Sequence, residues 1–160
     1  VVDVDPSLNL EGGQYIPRQF TTDNGAVVSV DFSFTTSDGN NAHNSLSVDG
    51  VSAFISGIND ANNNNANITS IGISATTNGE HSINSNHYVG NGARAFDISL
   101  INGRATGYSD NKFSVSQIQN SMNTLPNIRE NFGPSLKTKM GKPSSVGGHS
   151  NHIHISVNKR

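Results

Sequence analysis

The chain has 160 residues, of which 32 % are hydrophobic and 14 % charged, with a formal net charge of −2 and no cysteine. A chain of this length buries enough surface to fold around a single core, and its scattered Lys and Arg form no basic stripe of the kind that drives nucleic-acid binding. The absence of Cys excludes disulfides and thiolate metal sites, which leaves His with Asp or Glu as the plausible transition-metal ligands; no apolar run approaches the roughly 18 residues of a membrane span.

In chain order, residues 1–24 mix Pro6, Gly12, Gly13 and Pro17 with isolated apolar residues and read as an irregular lead-in with one short strand. Val28, Val30, Phe32 and Phe34 alternate with polar residues, which predicts a half-buried strand closed by Ser37-Asp38-Gly39-Asn40. Val51, Phe54, Ile55 and Ile58 recur at helical spacing, so a short amphipathic helix is expected over 51–59, stopped by an Asn run at 62–65 that reads as a solvated loop. Ile71, Ile73 and Ala75 alternate with Gly72 and Ser74 and predict a strand over 68–75; a third is expected over 94–101, followed by the strong turn signal Asn102-Gly103. Val115, Ile118, Met122 and Leu125 predict a second helix ended by Pro126. A Gly-, Pro- and Lys-rich connection from Gly133 to Gly148 then leads into a final strand. The pattern predicts an α+β fold, a small antiparallel sheet with two or more helices, in which residues 1–48 form an N-terminal extension with a strand and residues 49–160 the functional domain.

The last strand carries the densest chemistry. Gly148-His149-Ser150-Asn151-His152-Ile153-His154-Ile155 places three of the six histidines within six residues. Alternation puts Ile153, Ile155 and Val157 on one face and His152, His154 and Ser156 on the other, so two imidazoles reach one small site. Asp97, in mid-strand, is a carboxylate whose burial calls for a cation. His87 lies in the loop Ser85-Asn86-His87-Tyr88-Val89-Gly90-Asn91-Gly92, which can fold back toward Asp97. With His154 these make a His/Asp/His set, and three protein ligands with an open position is the pattern of a catalytic zinc site. His152 is then the natural general base. Ser85 is expected to orient the loop by hydrogen bonding, Tyr88 is a candidate oxyanion contact, and Glu80 and Glu130 are lesser candidate proton carriers. His43 and His81 read as surface residues.

Three pieces of this sequence resemble the zinc peptidases of the lysostaphin, D-Ala-D-Ala peptidase and hedgehog superfamily. Ser85-Asn86-His87 is similar to the family's Ser-x-His loop, Ala95-Phe96-Asp97 to the end of its Gly-x-Ala-x-Asp strand, with Ala93 in place of the Gly, and His152-Ile153-His154 to its final His-x-His, with an interval between His87 and Asp97 longer than the family's usual one. The run His149-x-x-His152-x-His154 also looks like that of the penicillin-insensitive murein endopeptidases, where the extra histidine lines the site. The resemblance spans about 68–157. It implies a hedgehog- or D-Ala-D-Ala-peptidase-like fold, with His87, Asp97 and His154 as zinc ligands, His152 as the catalytic histidine and His149 beside it; Ser85, Tyr88 and Arg94 are this chain's own candidate substrate contacts.

The function expected on this basis is zinc-dependent cleavage of peptide bonds in peptidoglycan stem peptides or crosslinks. The family's carboxypeptidases often have an Arg at the end of the strand that begins Ile-Thr-Ser; here Ile73 and Ser74 follow Ile68-Thr69-Ser70, which favours endopeptidase over carboxypeptidase action. A lysin and an antibacterial toxin domain, the latter with a cognate immunity protein, both fit, and the expected setting is secreted, periplasmic or at the cell wall, as a monomer. No signal peptide is visible and the chain starts at Val1, so a removed leader or a larger parent protein is expected. The alternative is a non-catalytic zinc- or calcium-containing module that binds cell wall or carbohydrate.

Overall fold

The computed structural model describes residues 13–32, 42, 44–76, 84–88 and 92–158. The turn at 37–40, His43, Glu80 and His81 lie outside them. Residues Gly13–Tyr15 (β1) pair antiparallel with Ser45–Ser47 (β4) as a separate ribbon. The remaining strands form one mixed sheet of nine. Its continuous order is Lys142–Pro143 (β10), Lys137–Lys139 (β9), Ile128–Phe132 (β8), Ile153–Val157 (β11), Ala95–Ile101 (β6), Ser70–Ala75 (β5), Val27–Asp31 (β3) and Gln19–Thr21 (β2), with Arg104–Ala105 (β7) paired to β6.

The α+β class stands, but the expected small antiparallel sheet is corrected in two respects. The pair β3 and β5 is parallel, because the chain crosses between them through the helix Val48–Asn63 (α1), and parallel neighbours need a crossover of this kind. The stretch 133–148, expected as a connection, supplies β9 and β10, and β8 before it was not anticipated. Its sequence Ile-Arg-Glu-Asn-Phe lacks apolar alternation because its buried positions are partly polar: Asn131 is fully buried, with Nδ2 donating to the Gln119 carbonyl at 2.8 Å and Oδ1 accepting from Gln119 Nε2 at 2.9 Å.

Helix α1 is longer at both ends than its apolar stripe indicates. Ser47 caps it, its Oγ accepting from Gly50 N at 3.1 Å, and Asp49 lies in the first turn, where a carboxylate complements the helix dipole. At the other end Asn62 is buried rather than solvated. Its side chain accepts from Ile68 N at 2.7 Å and donates to Ile68 O at 3.0 Å and Thr22 Oγ1 at 3.1 Å, so the start of the Asn run belongs to the helix and ties it to the segment before β5. Helix α2, Lys112–Asn123, turns Val115, Ile118 and Met122 inward, and meets α1 at Gly57, where an added Cβ would lie 2.4 Å from Met122 Cε.

The helices cover one face of the sheet. Val28, Val30, Phe54, Phe96, Ile98, Ile118, Ile153 and Ile155 belong to this one core, so residues 16–32 share it with the rest of the chain. Phe54 meets Phe96 edge to face at a centroid distance of 5.4 Å. The turn after β6 has Asn102 at φ 52° and Gly103 at φ 78°, as a two-residue hairpin with both central residues left-handed requires. No helix among the described residues is long and apolar enough to cross a membrane.

Candidate metal centre

The face of the sheet opposite Ile153 and Ile155 carries the polar site. In the β11–β6 register His154 lies directly across from Asp97, and in the β11–β8 register Ser156 lies across from Glu130. Strand alternation thus places His154, Asp97 and Glu130 side by side on one face. His87 arrives from its loop. Arg94 N donates to the Asn86 carbonyl at 2.8 Å, and His87 N donates to Ser85 Oγ at 3.2 Å, which folds the loop back over β6. Ser85 therefore has the loop-orienting contact expected of it.

Three donor atoms converge. His154 Nδ1 is 2.9 Å from Asp97 Oδ1, His87 Nε2 is 3.3 Å from the same oxygen, and the two ring nitrogens are 3.3 Å apart. In a tetrahedral site with bonds of about 2.0–2.1 Å, neighbouring donors stand about 3.3 Å apart, so the trio has the spacing of one face of such a site. The outer ring nitrogens fix which nitrogen of each ring faces inward. His87 Nδ1–H donates to the Thr76 carbonyl at 2.6 Å, and His154 Nε2–H donates to Glu130 Oε1 at 3.1 Å. Each ring can then present its other nitrogen inward as a ligand, the arrangement by which outer partners orient metal-binding histidines. His87, Asp97 and His154 form a largely buried group that could hold a metal ion.

Without an ion the charges of this group compensate one another. Burial raises the Asp97 carboxyl, but the charges and hydrogen bonds of His87 and His154 outweigh it and hold the group far below the usual carboxylate range. Burial likewise disfavours a charged His154, yet hydrogen bonds to Asp97 and Glu130, with their charges, raise its pKa to about 9. Glu130 is lowered to about 2, first by its hydrogen bond from His154, against burial, and then by Ser156 and Asn86. An ion held by His87, Asp97 and His154 would take the place of the inner proton on His154, so its binding would release a proton.

His152 lies in the turn just before β11, half-buried, and donates from Nδ1 to Asn151 Oδ1 at 2.7 Å. That bond leaves Nε2 as the ring's acceptor. Burial lowers its pKa, and the charges of His149, His154 and His87 lower it further against the raising effect of Asp97. His149, at φ 64°, donates from Nδ1 to the Gly147 carbonyl at 2.9 Å; its ring centroid is 4.9 Å from that of His152 and 5.7 Å from that of His154. Phe132 stacks on His154 at 5.7 Å with 17° between the planes.

The structure thus brings together His87, Asp97, His154, His152 and His149. Tyr88 is exposed beside His87. Arg94 is turned to the chain itself, Nη1 donating to the Val157 carbonyl at 2.8 Å and Nη2 to Asn86 Oδ1 at 2.9 Å, and so braces the His87 loop. Thr76, Asn86, Phe132 and Ser156 have no site role predicted from the sequence, and Glu130 is expected there only as a proton carrier. The one signal for them is alternation, which puts Ser156 on the face of His154. Comparisons of the chain with family models, with curated proteins and with solved structures find no match.

Proposed function

We propose that the chain is a zinc-dependent peptidase acting on peptidoglycan peptides. The observation that carries the reading is the convergence of His87 Nε2, Asp97 Oδ1 and His154 Nδ1 at 2.9–3.3 Å, with both rings held by outer acceptors. Two imidazoles and one carboxylate suit zinc, and calcium, which takes six or more oxygens, fits poorly. When bound, zinc polarises a peptide carbonyl and lowers the pKa of a water toward about 7. The chain's own residues do the rest. His152, kept largely neutral by burial and with Nδ1–H engaged by Asn151, takes up at Nε2 the proton lost by the attacking water and passes it to the leaving amine. His149 lies beside that ring, with centroids 4.9 Å apart.

The substrate class comes from the likeness of Ser85-x-His87, Ala95-x-Asp97 and His152-x-His154 to the lysostaphin, D-Ala-D-Ala peptidase and hedgehog superfamily. Endopeptidase action is favoured because recognition of a terminal carboxylate is best served by an Arg fork. Arg94 is committed to Val157 and Asn86, and Arg104 pairs with Asp110 at 2.9 Å. A secreted lysin or toxin domain, the latter with an immunity protein as partner, is the setting this activity implies. The competing reading, a binding module with a structural ion, needs the trio but gives no reason for His152 beside it.

The test is elemental analysis joined to a cleavage assay. About one zinc per chain is expected, lost in His87→Ala, Asp97→Ala and His154→Ala, together with cleavage of crosslinked muropeptide dimers. Unchanged zinc in all three variants would sink the site. Release of only terminal D-Ala from a pentapeptide, with dimers intact, would overturn the endopeptidase preference.

A further inference from the structure

Glu130 stands at the centre of a set of hydrogen bonds that reaches two of the three donor residues. Its Oε1 accepts from His154 Nε2 at 3.1 Å, from Ser156 Oγ at 2.7 Å and from Asn86 Nδ2 at 2.7 Å. Ser156 is fully buried, and Asn86, the residue before His87, is itself held by Arg94. One carboxylate oxygen therefore touches the donor on the last strand and the neighbour of the donor in the loop.

We propose that Glu130 is the positioning residue of the metal centre: it turns His154 so that Nδ1 faces Asp97 and His87, and through Asn86 it holds the loop that brings His87 over the sheet. This rests on the metal-binding reading above. The physical need for it is specific. The outer torsion of a histidine side chain is broad and roughly two-fold, so without an acceptor at Nε2 the ring can turn and offer either nitrogen. Phe132 stacks on the ring, which restrains tilt out of the ring plane but does not distinguish the two flipped states. The Nε2–H bond to Glu130 does. Asn86 adds the second effect, because His87 is carried by a loop whose described anchors include Arg94, Thr76 and the bonds of Asn86 Nδ2 to the sheet, at 2.7 Å to Glu130 Oε1 and 3.4 Å to Ser156 Oγ.

The test uses the whole chain and zinc alone, titrated against a chelator of known affinity, with nitrogen-15 spectra of the zinc-loaded protein reporting which nitrogen of His154 holds the ion. Glu130→Leu is expected to weaken zinc binding by about 10–100-fold, the usual cost of losing an outer partner, and to give His154 mixed Nδ1 and Nε2 ligation. Glu130→Gln, which keeps the shape and one acceptor, is expected to restore part of the affinity. Asn86→Ala is expected to weaken binding while leaving His154 ligated through Nδ1 alone. If Glu130→Leu fails to fold, Glu130→Ala, which removes every acceptor and adds no bulk, decides, since wild-type affinity with pure Nδ1 ligation there overturns the proposal. A folded Glu130→Leu chain with unchanged affinity and pure Nδ1 ligation overturns it too, and leaves the zinc reading standing. A wild-type chain that binds no zinc sinks both.

Discussion

Replacing Asp97 by Asn keeps the shape of the site and removes its central charge. In the ion-free chain His154 is raised from 6.5 to about 9 by Asp97 and Glu130 together, against burial, which corresponds to on the order of 3 kcal/mol of stability. Asp97 makes the shorter bond, 2.9 Å against 3.1 Å, so the larger share, about 2 kcal/mol, is assigned to it. The downward shift of Asp97 is the same interaction seen from the other side and is counted once. Because a raised histidine pKa stabilises fully below its unfolded value, the loss is measured near pH 6, where Asp97→Asn should lower the melting temperature by about 4–8 °C for a domain of this size. Zinc supplies the second arm. At a concentration 100 times Kd it stabilises the wild type by about 2.7 kcal/mol, and the variant, with two imidazoles and an amide, should gain nothing at that concentration. Calorimetry with and without zinc reads both arms. Equal zinc-induced shifts in the two chains would refute Asp97 as a donor. An ion-free variant as stable as the wild type would refute the claim that pairing outweighs the cost of burying this carboxylate.

Three further outcomes follow from the same geometry. His152→Ala should keep its zinc and lose about 10²–10⁴-fold in turnover; loss of zinc instead would make His152 a ligand. In the presence of a chelator, stability should be highest between about pH 4.5 and 6.5. Glu130, lowered to about 2, stabilises above its ordinary value and loses this as pH falls through about 2, while His154 stabilises below 6.5 and loses this as pH rises through about 9. Urea midpoints measured from pH 3 to 9 check this, and a rise in stability from pH 7 to 9 would contradict it. Gly107→Ala would set a Cβ 2.7 Å from the Ser150 carbonyl oxygen, displacing the backbone just before His152. It should cost about 1–3 kcal/mol and reduce turnover without changing zinc affinity, whereas full activity would show that this contact does not position the turn.

The histidine strand was legible because its chemistry and its period coincide. Ile153 and Ile155 alternate with His154, and a single pairing register across to Asp97 then assembles half the site. Both helices were legible from their apolar stripes, although not their ends. The start of α1 depends on the Ser47 cap and its end on Asn62, a polar side chain buried because it satisfies both backbone groups of Ile68. Strand β8 was not legible, since Arg129, Glu130 and Asn131 look like a solvated loop. They form a strand because Asn131 finds Gln119 inside and Glu130 finds His154, Ser156 and Asn86 on the other face. These partners lie 12 or more residues away, beyond the reach of any local period. The parallel pairing of β3 with β5 escaped for a like reason, because it depends on where α1 carries the chain and not on any residue within either strand.

On the proposed function, the site formed by His87, Asp97 and His154, with His152 from the turn before β11, cleaves peptide bonds of peptidoglycan with zinc. The most direct measurement is mass spectrometry of the fragments released from purified peptidoglycan by the zinc-loaded chain, by the chelated chain and by His152→Ala. New free amino and carboxyl ends within stem peptides or crosslinks are expected, produced by the zinc-loaded wild type alone. Intact peptides in the presence of a chain shown to hold one zinc, or equal release by all three preparations, would contradict the proposed function.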